Sequence, residues 1–329
     1  MTFRRKLVGV AASATAVLLT AGTAIAAPAD VEPLAIRQVA SGLNQAWSVD
    51  FLPDGTALFT EKDSRKIRKI GTDGKVSDVQ TISGVSVTKE AGLLGIAVSP
   101  KYATDQLVFI YYTTNSDNRI AKLKLGQAPT PIVTGIPRGS QFHHGGRIKF
   151  GPDGYLYAGT GDGQNGANAQ NRNSLGGKVL RVDTNGAAAP GNPFNSRVYS
   201  MGHRNVQGLT WVGSQLYISE IGASDEDELN KITPGGNYGW PDCEGPCDNS
   251  KYVNPVKSWP TSQATPSGLT TYKGSLYMAS LKGGTYKLNT SGSGGKIYTN
   301  LGRTRDEVAG PNNVLWVVTP SGIYNADGA

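Results

Sequence analysis

Pro152-Asp153-Gly154-Tyr155-Leu156-Tyr157-Ala158 is a tight turn followed by a short β-rich run, and versions of it recur along the chain. Pro53-Asp54-Gly55 leads into Leu58-Phe59-Thr60, and Thr104-Asp105-Gln106 into Leu107-Val108-Phe109-Ile110. Gly213-Ser214-Gln215 leads into Leu216-Tyr217-Ile218, Lys273-Gly274-Ser275 into Leu276-Tyr277-Met278, and Pro311-Asn312-Asn313 into Leu315-Trp316-Val317. The leucines at 58, 107, 156, 216, 276 and 315 stand 49, 49, 60, 60 and 39 residues apart. Aspartate, asparagine and glycine at these points supply the backbone that hairpin turns need.

Each unit carries flanking strands, for example residues 48–52 before the first turn and 66–70 after it, closed by Asp73-Gly74. Long amphipathic helical patterns are nearly absent. Six units of roughly 50 residues, each with about four short strands, describe an all-β, six-bladed β-propeller. A sandwich would not give this period. A closed ring also avoids exposed sheet edges without special end caps. The last interval is short, so a strand near residues 34–39 is expected to complete the last blade and latch the ring.

The 329 residues are 38% hydrophobic and 17% charged, with 43 glycines that show no three-residue period, which excludes disordered and collagen-like chains. Arg4-Arg5-Lys6, an apolar run through residue 23 and Ala24-Ile25-Ala26 read as a secretory signal peptide over residues 1–26. One propeller domain then fills 27–329, and the protein is expected to be secreted or periplasmic. Arg4-Arg5 leaves both the Sec and the twin-arginine route open. Losing the leader lowers the net charge from +7 to about +4, and the remaining Lys and Arg are scattered. That excludes a nucleic-acid partner. No later segment is apolar and long enough to span a bilayer as a helix.

Three histidines are present. His143 and His144 precede a strand in Phe142-His143-His144-Gly145-Gly146-Arg147, and His203 lies in Gly202-His203-Arg204-Asn205. Neighbours in an extended chain face opposite ways, so His143 and His144 are not expected to share a metal. Arg204, Lys282, Arg303 and Arg305 stand beside strands in successive repeats. Propeller loops of one face converge on a channel, where four cations would hold a small polyanion. The acidic, carbonyl-rich stretch 220–228, followed by Gly235-Gly236-Asn237-Tyr238-Gly239-Trp240, suits Ca²⁺ or is a solvated loop.

Six segments occur in a telling order: Gly92-Leu93-Leu94-Gly95, His143-His144-Gly145-Gly146-Arg147, Asn173-Ser174-Leu175-Gly176-Gly177-Lys178, Gly202-His203-Arg204-Asn205, Asp227-Glu228-Leu229-Asn230 and Asn237-Tyr238-Gly239-Trp240-Pro241. Together they resemble the soluble quinoprotein glucose/sorbosone dehydrogenases, which use pyrroloquinoline quinone (PQQ) and Ca²⁺ on a six-bladed propeller. The resemblance implies oxidation of an aldose at its anomeric hydroxyl to a lactone, with hydride passing to PQQ and then to an unknown electron acceptor. It implies that His143 is the base and that Arg204 and Asn205 reach the quinone. Lys282, Arg303 and Arg305 match the residues that hold the PQQ carboxylates, and Thr261 in Trp259-Pro260-Thr261 matches a cofactor contact. The carbonyls of Gly222 and Ala223 match the catalytic Ca²⁺ ligands; Glu228 and the Tyr238 carbonyl resemble a second, structural Ca²⁺ site. In the substrate region, Glu90 and Phe142 stand where the glucose-oxidising branch has glutamine and aspartate, and Glu90 resembles the broader aldose dehydrogenase branch.

An oxidising compartment, the Glu244-Gly245-Pro246 spacer and the neighbouring loop lead to an expected Cys243–Cys247 disulfide, against two free thiols or half of a metal site that no other cysteine completes. Two other functional classes fit a propeller. A Ca²⁺-dependent lactonase or other hydrolase would not need four cations for a tricarboxylate. A non-catalytic propeller binding glycan or protein would have no reason to keep His143, Arg204, Lys282 and Arg303 together.

Overall fold

Turn residues break the chain into strands of four to seven residues, such as Val198–Met201 and Val206–Val212. The computed structural model describes residues 1–2 and 35–326, so the leader read at 1–26 falls almost wholly outside the described residues. The strands form six antiparallel four-stranded sheets, each a blade. In blades one to five the four strands follow one another in sequence. The sixth takes its outer strand from the other end of the chain: Ile36–Ser41 pairs with Gly322–Ala326. The expected latch at 34–39 is thus present two residues further on. Regular helix among the described residues is confined to short turns such as Tyr102–Asp105 and Ala167–Gln170.

The first strand of each blade lies innermost and packs on its neighbours around the ring. These strands are Ala46–Phe51, Leu93–Val98, Gly145–Phe150, Val206–Val212, Pro266–Tyr272 and Asp306–Gly310. Contact between the first and the last of them closes the circle.

The hydrophobic core is divided among the blade interfaces, and this explains the recurring leucine. It marks the second strand of every blade, as in Ala57–Glu61, Leu156–Thr160, Gln215–Glu220, Ser275–Ser280 and Val314–Val318; Leu107 falls one residue before Val108–Thr113. Leu58, Leu156, Leu276 and Leu315 are fully buried, each in a separate cluster between adjacent blades. Burying one such side chain stabilises by roughly 1.5–3 kcal/mol.

Antiparallel order fixes where the loops go. The connection from a blade's fourth strand to the next inner strand leaves on the same face as the connection from its second strand to its third. His143, Arg204 and Arg305 lie immediately before inner strands, whereas Gly222 and Lys282 lie between second and third strands. Topology alone therefore gathers them at one mouth of the channel.

Candidate active site

His143 sits in the loop before Gly145–Phe150 with φ +63°. Its backbone N–H donates to Glu90 Oε2 at 2.9 Å, and its ring Nδ1 lies 2.7 Å from Asp162 Oδ1. An ionised carboxylate only accepts, so the geometry assigns the proton to Nδ1 and leaves a lone pair on Nε2. Asp162 is buried and itself held: Gln164 N–H donates to Oδ1 at 2.7 Å and Trp240 Nε1–H to Oδ2 at 2.8 Å. His143 keeps 16% of its side chain exposed.

His144 faces elsewhere. Its ring is fully buried, with Nδ1 3.2 Å from Asn118 Oδ1 and Nε2 without a partner among the described residues. Burial, helped by Arg138, pushes its pKa down to about 4. The separation of the two rings comes from the left-handed backbone at His143 and a register break between Gly145 and Ile148, not from simple strand alternation.

Glu90 ties the site together. Its Oε2 also accepts from Asn205 Nδ2 at 3.3 Å, while Asn205 Oδ1 accepts from Gly145 N–H at 2.9 Å. It is also close enough to favour the charged forms of Arg204, Arg303 and Arg305. Phe142 is half-buried and carries Lys89 Nζ over its ring at 5.4 Å.

Arg204 donates from Nη1 to the Ile221 carbonyl at 3.0 Å and lies over Trp240, while its buried Nε has no partner among the described residues. Its backbone N–H donates to Glu220 Oε2 at 2.8 Å. Arg305 is buried, donates to Gln207 Oε1 at 2.8 Å, and is pushed down to about 9 by burial and then by Arg303. Arg303 is exposed and reaches the Leu281 carbonyl; Lys282 is exposed in the adjacent turn. Glu90 is thus the carboxylate that all three arginines have in common at this mouth, Arg204 also facing Asp162, Glu244 and Glu220, with Lys282 at the edge.

The loop from Ile221 to Asp225 follows the strand Gln215–Glu220. Among the described residues no protein donor reaches the carbonyls of Gly222 and Ala223. Thr261 is turned toward this loop, its Oγ1 donating to the Ser224 carbonyl at 3.0 Å and its N–H to that of Asp225 at 3.1 Å. Behind the loop, a cavity of about 10 Å³ is bounded by Arg204, Glu220, Glu226, Glu228, Tyr238 and Glu244. Burial and Glu220 push Glu228 up to about 8, and Glu226 Oε2 is buried without a partner among the described residues. Among the described residues no cluster of three His, Cys, Asp or Glu side chains is arranged around a metal position. Cys243 and Cys247 are bonded, with Cα atoms 6.1 Å apart.

A serine–histidine–glutamate relay is also present. Ser200 Oγ and Glu220 Oε1 each lie 2.8 Å from opposite nitrogens of His203. Ser200 and His203 are fully buried, so no substrate reaches the hydroxyl, and the relay serves to fix Glu220 beneath Arg204.

Sequence reasoning missed Asp162, although a signal was there. Six residues after the marker leucines 156, 216 and 276 stand Asp162, Gly222 and Lys282, one column of the repeat at the channel mouth.

Six blades around a channel with an imidazole–carboxylate pair and clustered arginines at one mouth define a propeller of the sugar-dehydrogenase type. The model of the Glucose / Sorbosone dehydrogenase family matches residues 43–324, and the chain belongs to that family. The PQQ-bound aldose sugar dehydrogenase from Streptomyces coelicolor superimposes with a TM-score of 0.83 at 40% identity, covering 88% of this chain and 97% of that one. Aldose sugar dehydrogenase YliI from Escherichia coli is 26% identical over 89% of this chain and 91% of its own length. Quinoprotein glucose dehydrogenase B from Acinetobacter calcoaceticus is 29% identical over 66% of this chain, a match that spans 54% of that relative.

Proposed function

We propose that the protein is an exported quinoprotein that oxidises the anomeric hydroxyl of aldoses to lactones with PQQ and Ca²⁺ at this mouth of the channel. The observation that carries the reading is His143, oriented by buried Asp162 and flanked by a cationic wall. When bound, PQQ supplies an electron-pair acceptor for the hydride and presents three carboxylates. Lys282, Arg303 and Arg305 would hold those carboxylates. The orphaned Nε of Arg204 fits an anionic or quinone oxygen. His143 Nε2 would take the hydroxyl proton of the sugar while Asp162 stabilises the resulting imidazolium. Glu90 fixes the backbone of His143 and the Asn205 amide, so it shapes the pocket even without touching the sugar.

The donor set also fits Ca²⁺. Two adjacent carbonyls without protein donors suit the catalytic ion, which would polarise an oxygen that gains charge. A crowded carboxylate cavity beside Glu228 suits the structural one. Among the described residues no helix is long and apolar enough to cross a membrane. Export rests on the leader at 1–26.

The test is reconstitution. Apoprotein given PQQ and Ca²⁺ is expected to reduce an artificial electron acceptor with aldoses, and neither addition alone should suffice. Absence of turnover across a panel of aldoses, with PQQ shown to be bound, would overturn the reading.

A further inference from the structure

Glu244 sits on the small loop closed by Cys243–Cys247, and its Oε1 accepts hydrogen bonds from four consecutive backbone N–H groups. The donors are Ala223 at 2.5 Å, Ser224 at 3.0 Å, Asp225 at 3.0 Å and Glu226 at 3.1 Å. Asp227 Oδ1 takes the preceding one, Gly222 N–H, at 3.0 Å. Five successive amides thus turn toward two carboxylates. A planar trans peptide points its N–H and its C=O in opposite directions. An Ala223 N–H aimed at Glu244 therefore aims the Gly222 carbonyl away from it, and the Ser224 N–H does the same for the Ala223 carbonyl. Among the described residues, no protein donor reaches either of these two carbonyls.

We propose that Glu244 is a positioning residue for the cation site: held by the disulfide loop, its carboxylate sets the orientation of the Gly222 and Ala223 carbonyls. The inference rests on the reading that these carbonyls hold Ca²⁺. Glu244 does so without contacting the metal. A concave run of backbone amides is a ready anion site, and here the protein fills it with its own side chain. The loop is stapled from two more sides, by Thr261 on the Ser224 and Asp225 carbonyls and by Asp227, whose other oxygen accepts from Thr265 N–H at 2.7 Å. The Gly245 N–H meanwhile donates to Glu228 Oε1 at 2.7 Å, so the disulfide loop joins the channel-facing loop to the carboxylate cavity behind it. Gly222 leaves no room for a side chain: a Cβ there would lie 1.9 Å from the Glu226 carbonyl oxygen.

The experiment titrates Ca²⁺ into chelator-stripped protein in the presence of PQQ and reads the absorbance of bound PQQ rather than turnover. Outer-shell partners of metal ligands are worth about 10–100-fold in metal affinity. Glu244→Ala is expected to raise the half-saturating Ca²⁺ concentration by about that factor. Glu244→Gln, which keeps an amide oxygen for the nest, is expected to recover most of the loss. A Cys243→Ser, Cys247→Ser double variant, which frees the loop but keeps the carboxylate, is expected to fall between them and also serves if the alanine variant misfolds. If Glu244→Gln loses as much as Glu244→Ala, an oxygen seated among the four amides is not what sets the site, and the proposal falls. If all the variants match the wild type, it falls as well. If the wild type itself shows no Ca²⁺-dependent change, the cation reading fails instead, and thermal denaturation of the same variants without metal then separates a purely structural role.

Discussion

Arg147 Nη1 lies 2.5 Å from Asp306 Oδ2, an ion pair with both side chains fully buried that joins the inner strands of two opposite blades across the channel. The same guanidinium donates to Ser48 Oγ at 2.8 Å, to the Gln207 carbonyl at 2.9 Å and to the Arg305 carbonyl at 3.3 Å, and it stacks over Trp47. One side chain from the third blade therefore bonds to the first, fourth and sixth. Removing one partner of a buried pair leaves an uncompensated charge and costs about 3–5 kcal/mol. Arg147→Met is expected to destabilise the fold by that order in chemical denaturation. The double variant Arg147→Met, Asp306→Leu should lose less than the sum of the single changes. Additive losses would show that the two residues act independently.

The His143–Asp162 contact makes a sharper statement about chemistry. Loss of a general base lowers rates by about 10²–10⁴-fold. His143→Ala is expected to lose that much in kcat while PQQ affinity stays near the wild-type value. Asp162→Asn keeps the shape but no longer enforces a proton on Nδ1, so kcat should fall with little change in KM. Asp162 also anchors Gln164 and Trp240, so a thermal melt of Asp162→Asn belongs beside the kinetics. Full activity in the asparagine variant would remove Asp162 from the mechanism.

What the sequence reveals and what it hides follow from range. The second strand of every blade is legible because its turn and its interface leucine lie within a few residues of one another, as Asp153, Gly154 and Leu156 do. The latch at Ile36–Ser41 follows from counting strands in the last unit. Arg147 is quoted in a motif at sequence level, yet its role depends on Asp306, 159 positions away. Glu244 reads as part of a spacer between cysteines, because nothing local announces that four amides 18 to 21 residues earlier will close around it. Thr261 is expected at the cofactor from its motif alone, whereas the bond of its hydroxyl to the loop that carries Gly222 and Ala223 spans 37 positions and leaves no local trace.

His144 yields a pH prediction whose sign is opposite to that of a carboxyl raised by burial. Its folded pKa, about 4, lies below its usual 6.5 because burial disfavours the cation, with Arg138, His143 and Lys62 adding to the effect. Between these values the unfolded chain binds the extra proton, so stability is present above pH 6.5 and is lost as pH falls toward 4. The full span is worth about 3 kcal/mol. Asp50 acts oppositely: burial raises it from 3.8 to about 6, so its contribution is lost as pH rises through that range. The wild-type profile mixes the two, so the informative quantity is a difference. Denaturation of His144→Gln and wild type from pH 4 to 7 should show the variant losing less stability toward acid. An unchanged slope would mean that His144 is not the group responsible.

The cationic wall should separate binding from turnover. Lys282 is the cleanest probe, because it is exposed and outside the networks that hold the inner strands. Lys282→Ala is expected to weaken PQQ binding by about 10-fold, the loss of roughly one charge-assisted contact of 1.5 kcal/mol. Saturating PQQ should then restore most of the activity, the reverse of the His143 pattern. Arg305→Ala should weaken binding more, because the guanidinium is buried and already oriented by Gln207, but part of that loss will be stability. Arg303 falls between them: it is exposed by area, yet desolvation still pushes its guanidinium below its ordinary value. PQQ titrations followed by absorbance, with steady-state rates at subsaturating and saturating cofactor, distinguish these cases. If Lys282→Ala and Arg303→Ala both bind PQQ as tightly as the wild type, the carboxylates are held elsewhere and this wall is not the cofactor cradle.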